Sequence, residues 1–273
     1  LNKFILADGH VHFHECFDSN LFISSASQNF CRISPALDDQ ISFQCVLFFT
    51  DSEVSAGFKL FFSKITEHHR SEHSPLLICS TKEETALQIK SPSKPDIFVI
   101  SGHQILTFEG IEVLSLASKE KIQDGKPLAE VIEHIKITDG IPVIPWGVGK
   151  WFGKRGQILE NFIDNNEVSQ IFLGDNGGRP IFWPTPSLLK IGLRKGMKIL
   201  PGSDPLPFKS ENRKAGSFGF ILEGDIDPDF PTQSLKRLIF NSPKTPRSYG
   251  RLESPIRFFI NQLKMQKRKI FSR

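Results

Sequence analysis

The 273-residue chain lacks most of the residues and patterns that mark the simplest functional classes. Its four cysteines, Cys16, Cys31, Cys45 and Cys79, show neither C-x-x-C nor zinc-finger spacing, which argues against a disulfide scaffold and a structural zinc site. Free thiols in a reducing compartment are expected, and with them a cytoplasmic location. No apolar run is long enough to span a bilayer, so no membrane partner is expected. The N-terminus enters a strand and a polar motif almost at once, so no secretory leader is expected. No Pro/Gly/Ser-rich linker divides the chain and no solenoid-type repeat recurs. A single domain over residues 1–273 is therefore expected, because α/β barrels commonly run to about 250 residues as one unit. There is no G-x-S-x-G elbow, and the run Gly147 to Lys150 has neither the spacing nor the following Ser/Thr of a P-loop. Histidine stops early: all eight lie at or before His134.

What is present suits a packed core. Hydrophobic residues make up 39% of the chain and charged residues 23%, a balance that excludes intrinsic disorder. Phenylalanine occurs 25 times against one tyrosine and three tryptophans, so most of the aromatic content is expected to be core filler. The net charge of +4 owes much to the C-terminal run from Lys264 to Lys269 and to Arg273. That run reads as a solvated helix end, and nucleic acid is not an expected partner. The oligomeric state is left open.

Apolar runs at Phe4–Ala7, Ile41–Thr50 and Leu76–Cys79 read as strands, and Asp96–Ala117 as a meander turning at Ser101-Gly102 and Glu109-Gly110. From residue 126 onward helix and strand alternate: helices near 128–135, 156–163, 185–193, 232–240 and 254–265, strands near 141–144, 170–173, 198–200 and 218–222. Such alternation predicts parallel βα units, in a closed barrel or a doubly wound sheet, with the chemistry at the carboxyl ends of the strands.

Two motifs sit at such ends. His10 and His12, in Asp-Gly-His-Val-His (8–12), are two apart on a strand, so both imidazoles project to one side, as a metal requires. The bland alternative is a chance H-x-H on a polar strand edge. Asp204, in Leu-Pro-Gly-Ser-Asp-Pro (200–205), follows an apolar run directly. A carboxylate there can ligate a metal or take a proton from water, or it can serve an Asx turn or a helix cap before Pro205.

Together these motifs resemble the amidohydrolase superfamily and its relatives of the PHP phosphoesterase family. The resemblance implies a distorted, TIM-like (β/α) barrel of seven to eight mostly parallel strands. It implies a metal-dependent hydrolase holding one or two divalent ions (Zn, Mn or Fe), with His10 and His12 as ligands and Asp204 as ligand or base. Those families add histidines from middle and late strands, and this chain has none after His134. Carboxylates must then complete the shell: Asp175 as an oxygen ligand or catalytic group, and Glu112 or Glu109 in place of an acidic PHP ligand. A barrel without catalytic activity that binds a ligand or a protein is the alternative, with helix 254–265 available for docking.

A second cluster points to a small substrate with an anionic part, such as a phosphate ester, while the hydrolase resemblance also admits an amide. Asp175-Asn176-Gly-Gly-Arg179 offers a flexible backbone and a guanidinium fork, and Lys150 adds positive charge. A tight βα loop with Arg179 paired to a surface acid is the alternative reading. Trp146, Trp151 and Trp183 cluster past strand ends, where they line a pocket or pack in the core. His68, His69 and His73 fall in a charged segment and read as solvated surface.

Overall fold

A computed structural model describes residues 3–33, 43–52, 56–71, 76–92 and 94–271. In chain order its elements are β1 (Phe4–Val11), α1 (Ser19–Ile33), β2 (Phe43–Phe49), α2 (Gly57–Ser71), β3 (Leu77–Ser80), β4 (Ala86–Ser91), β5 (Lys94–Ile100), β6 (Gly102–Leu106), β7 (Glu112–Leu116), α3 (Leu128–Ile137), β8 (Ile141–Pro145), α4 (Lys154–Asn165), β9 (Phe172–Gly174), α5 (Ser187–Arg194), β10 (Lys198–Ile199), β11 (Phe218–Glu223), α6 (Pro231–Asn241), β12 (Arg247–Gly250) and α7 (Pro255–Phe271). The cluster His68, His69 and His73 lies outside the residues whose side chains are described.

The expected TIM-like barrel of mostly parallel strands is not what forms. The strands make two mixed sheets, ordered β12-β11-β1-β2-β5-β4-β3 and β10-β9-β8-β7-β6. Six of the ten strand pairings are antiparallel and four are parallel. Connection length explains part of the difference, although β7–β8 and β11–β12 are antiparallel despite the helices α3 and α6 between them. A parallel neighbour needs a crossover of a dozen or more residues, and the chain between β3 and β7 supplies only short turns, so those strands fold back as hairpins. Parallel order survives where a helix fits between strands, through α1 for β1–β2, α4 for β8–β9 and α5 for β9–β10.

Side-chain alternation sorts the core into layers. Leu6, Cys45, Leu47 and Val99 face α1 and α2, where Phe13, Phe17, Phe22, Phe49 and Phe61 pack with ring centroids 5.1–6.4 Å apart. Ile5, Ala7, Val46 and Phe98 point the other way, onto Leu114, Val143 and Phe172 of the second sheet and onto Leu235 and Ile239 of α6. The outer face of the second sheet, Ile105, Val113, Ile144 and Leu173, is covered by α3, α4 and α5. Among the described residues, twelve phenylalanines are buried, while six others, Phe108 and Phe182 among them, are exposed. Remote carboxylates cap helix starts: Asp51 accepts the amide of Phe58, Glu109 that of Leu128, and Glu83 those of Thr232 and Gln233. Such caps satisfy amides that the helix itself leaves unbonded.

The two sheets touch at their ends. Asp51, just past β2, bridges to β6 through Asp51 N–Gly102 O and Gln104 N–Asp51 O, at 3.0 and 2.7 Å. The segment after β10 runs beside β1, with Gly9 N donating to Pro201 O at 3.0 Å and Asp204 N to His10 O at 2.8 Å. No helix among the described residues is long and apolar enough to cross a membrane.

Candidate metal centre

The β1 strand does not deliver its histidines by simple alternation. Its register against β2 shifts between Asp8 and Val11. Leu6 and Val11 both face the helix side although their parity differs, while Ile5 and Ala7 face the second sheet. The irregularity therefore turns His10 and His12 toward the space between the sheets, a common use of a bulge beside a site. Gly9 permits it, because a Cβ there would come within 2.9 Å of Pro201 O.

Asp8 pins the turn from behind. Its fully buried carboxylate accepts hydrogen bonds from Ser203 N (2.8 Å), Ser203 Oγ (2.6 Å), Gly216 N (2.8 Å) and His10 N (3.3 Å). Burial pushes its pKa up to about 7 against the pull of those donors. Asp8 thus ties β1 to both ends of the 203–216 connection, which is how residues almost 200 positions apart come to share one site.

His10 Nε2 lies 3.1 Å from His12 Nε2 and 3.8 Å from Asp204 Oδ1, and His12 Nε2 lies 3.6 Å from the same oxygen. Among the described residues this is the one group of three or more His, Cys, Asp or Glu ligand atoms close enough to share an ion. Burial and the neighbouring His10 push the His12 pKa down to about 3, so its ring is neutral, the form that ligates. Burial alone would raise the Asp204 pKa. The positive surroundings, with Lys150 and Lys214 among them, outweigh it and hold the carboxyl well below the usual range.

The donor set fits a divalent ion. Ligand bonds of about 2.0–2.1 Å in a tetrahedron put neighbouring donor atoms about 3.4 Å apart, and the three separations here bracket that value. Two amides complete the surroundings: Gln104, which carries no sequence signal, and Asn176, expected as a substrate contact. Gln104 Oε1 is 3.2 Å from His10 Nε2. Asn176 Nδ2 donates to Asp204 Oδ2 at 2.5 Å, and Asn176 Oδ1 accepts from Gly178 N at 2.6 Å. Asn176 is therefore fully engaged in aiming Asp204, which leaves no free amide for a substrate. His14 lies one step beyond, with Nε2 on Pro205 O at 3.0 Å and its ring centroid 5.7 Å from that of His12.

The other expected site residues are engaged elsewhere. Arg179 forks onto Asp175 with Nε–Oδ1 at 2.9 Å and Nη2–Oδ2 at 2.7 Å, and its Nη1 donates to Trp183 O at 2.8 Å. With both side chains largely buried, the pair holds its own loop, and neither member reaches the His10–His12–Asp204 group. Glu112 forms an ion pair with Lys150 and does not join that group. Glu109 caps α3. Trp146 is buried in the third core layer, with its ring edge-on to Trp183 at 6.0 Å. His103 Nε2 is buried without a hydrogen-bond partner and lies outside the group.

No protein-family model matches the sequence, and no curated protein matches it. Among solved structures the chain is similar to PsfC from Pseudomonas syringae PB-5123, with a TM-score of 0.55 over 97% of this chain and 98% of that chain, at 12% identity. At that identity the likeness concerns the fold alone.

Proposed function

We propose that the chain holds one divalent metal ion at His10, His12 and Asp204 and hydrolyses a small substrate there. The observation that carries this reading is the convergence of three ligand atoms at 3.1, 3.6 and 3.8 Å on a buried, strand-borne frame. A divalent ion at such a site supplies Lewis acidity toward water and toward a carbonyl or phosphoryl oxygen. His10 and His12 offer ring nitrogen donors, with that of His12 kept neutral by burial. Asp204 presents Oδ1 to them, while Asn176 holds Oδ2, so Oδ1 is the atom available as ligand or as proton acceptor. Gln104 Oε1 offers a further oxygen beside His10. Lys150 adds positive charge near the group, which favours an anionic substrate. A set of two imidazoles and oxygen donors suits Zn, Mn or Fe.

The test is metal analysis of untagged protein, followed by calorimetric titration with Zn²⁺ and Mn²⁺. One ion per chain is expected, with binding lost in His12→Ala and Asp204→Asn. Metal-dependent turnover of p-nitrophenyl phosphate or acetate tests the hydrolytic half separately. Absence of metal binding, or binding indifferent to both substitutions, overturns the reading and leaves a metal-free ligand- or protein-binding module in its place.

A further inference from the structure

We infer that the opposite end of the β1–β11 sheet carries a second binding site, for an anion borne on an apolar body of small-molecule size. A half-open groove of about 840 Å³, with its cations exposed to solvent, lies where the start of β1, the end of β11, α6 and the loop into β12 meet. This volume lies within the range typical of small-molecule sites. Its apolar lining includes Phe4, Leu222 and Leu238, and its cations are Arg237, Lys244 and Arg247. Glu223 is its one carboxylate, so the lining carries a net two positive charges.

Those cations have no structural employment. None of the three forms an ion pair or a side-chain hydrogen bond among the described residues. They are not needed to balance the negative end of α6 either. The last carbonyls of that helix, Ile239 O and Phe240 O, already accept from Lys198 Nζ at 3.4 and 2.9 Å. The loop that presents Lys244 lies between Pro243 and Pro246 and is tied by Ser242 Oγ donating to Lys244 O at 2.8 Å. Proline fixes φ, so the loop loses little entropy when it meets a ligand. Surplus positive charge beside an apolar wall is the chemistry of a carboxylate or phosphate on a chain or ring. Phe4 in the cavity and His10 at the metal centre are six residues apart on one strand, about 20 Å, so the two sites are distinct.

Calorimetry with decanoate, decyl phosphate, decanol and inorganic phosphate, each below any micellar concentration, tests this on the full chain. One equivalent of an amphiphilic anion is expected to bind, at least about tenfold more tightly than decanol or inorganic phosphate, the scale of one charge-assisted contact. The tighter of the two anions identifies the head group as carboxylate or phosphate. Arg237→Glu with Arg247→Glu should lose that binding at unchanged far-ultraviolet circular dichroism and melting temperature. Leu238→Glu should lose it independently. EDTA, and Phe259→Ser on the exposed face of α7, should leave it unchanged. No binding of either anion at 1 mM, binding indifferent to the arginine reversals, loss with EDTA, or loss with Phe259→Ser would each overturn the proposal.

Discussion

Gly202→Ala is the most informative single change, because it adds one methyl group and replaces no proposed ligand. A Cβ on residue 202 would sit 2.5 Å from His10 Cβ and 2.7 Å from His10 Cα, and closer still to the His10 backbone nitrogen. Ordinary contact begins near 3.4 Å, so β1 and the 200–204 segment must separate by at least about 0.9 Å. Neither side can yield cheaply. Gly9 N–Pro201 O and Asp204 N–His10 O bond the two segments on either side of the contact. Asp8 ties the same strand to Ser203. Overpacking of this kind costs about 1–3 kcal/mol. The functional effect should be larger than the stability effect suggests. Metal ligands must hold their distances to about 0.2 Å, and the separation opens directly between His10 and Asp204. Zinc affinity measured by calorimetry should fall by about 10–100-fold, the range seen when supporting groups of a metal site are lost. Gly196→Ala is the control: unlike Gly202 it lies at positive φ, at +84°, so it carries backbone strain, but a Cβ there meets nothing within 4 Å. Zinc affinity within twofold of the parent in a folded Gly202→Ala protein would refute the reasoning.

Asn176→Ala frees Asp204 Oδ2 and should weaken zinc binding by about tenfold; an unchanged affinity would show that Asn176 does not position the ligand. Arg179→Met leaves the Asp175 carboxylate buried without its partner, which should cost about 3–5 kcal/mol in urea unfolding. Adding Asp175→Asn should recover much of that loss, whereas a purely substrate-binding Arg179 would leave the urea midpoint where it was. Asp51 concerns pH. Burial pushes its pKa up to about 6, against the pull of the Phe58 amide and of Lys121. A carboxyl whose folded pKa is raised contributes stability that is present below about pH 4 and is lost as pH rises through 6. Two units amount to about 3 kcal/mol. Asp51→Asn should therefore gain stability relative to the parent by about that amount between pH 4 and pH 7; a relative loss over the same interval would reverse the sign.

The parts legible in the sequence are those with local causes. Apolar runs such as Phe4–Ala7 and Phe218–Leu222 mark strands, and the spacing of Leu128, Val131, Ile132 and Ile135 marks α3, because burial of one face is a short-range pattern. The H-x-H pair is legible for the same reason. Sheet assignment is not, because it depends on which strand finds which partner. The clean βα alternation after residue 126 holds as parallel pairing for β8, β9 and β10 and then fails at β11, which returns antiparallel to β1. The helix α1 escapes because its apolar Phe22, Ile23, Ala26 and Phe30 are diluted by serines at 24, 25 and 27. Gln104 escapes for a different reason, and Asn176, read as a substrate contact, is given the wrong role for the same one. A buried amide in a site has no characteristic spacing, and each reaches the group by a long-range strand contact, Gln104 through Asp51 and Asn176 through its bridge to Gly202. Arg179 is correctly read as a forked donor, but the sequence cannot say that its acid stands four residues before it in space as well as in number.

Asp204 is where the two readings of one motif come apart. As a turn or capping residue before Pro205, its carboxylate would accept a nearby backbone amide. No backbone N–H among the described residues donates to it, and no helix begins at Pro205; the next helical turn is Lys209–Glu211. Its backbone is held at φ +48°, a region that glycine or asparagine occupies at less cost. A residue kept there against about 1–3 kcal/mol of strain is retained for its side chain, not its turn. That side chain spends one oxygen on Asn176 and turns the other to two neutralisable imidazoles. The strain, the amide that aims it and the glycine that lets His10 approach all serve the same atom, Oδ1. A site assembled for one carboxylate oxygen and two ring nitrogens has the composition of a small metal centre completed by oxygen donors, which is how a chain without late histidines can build one.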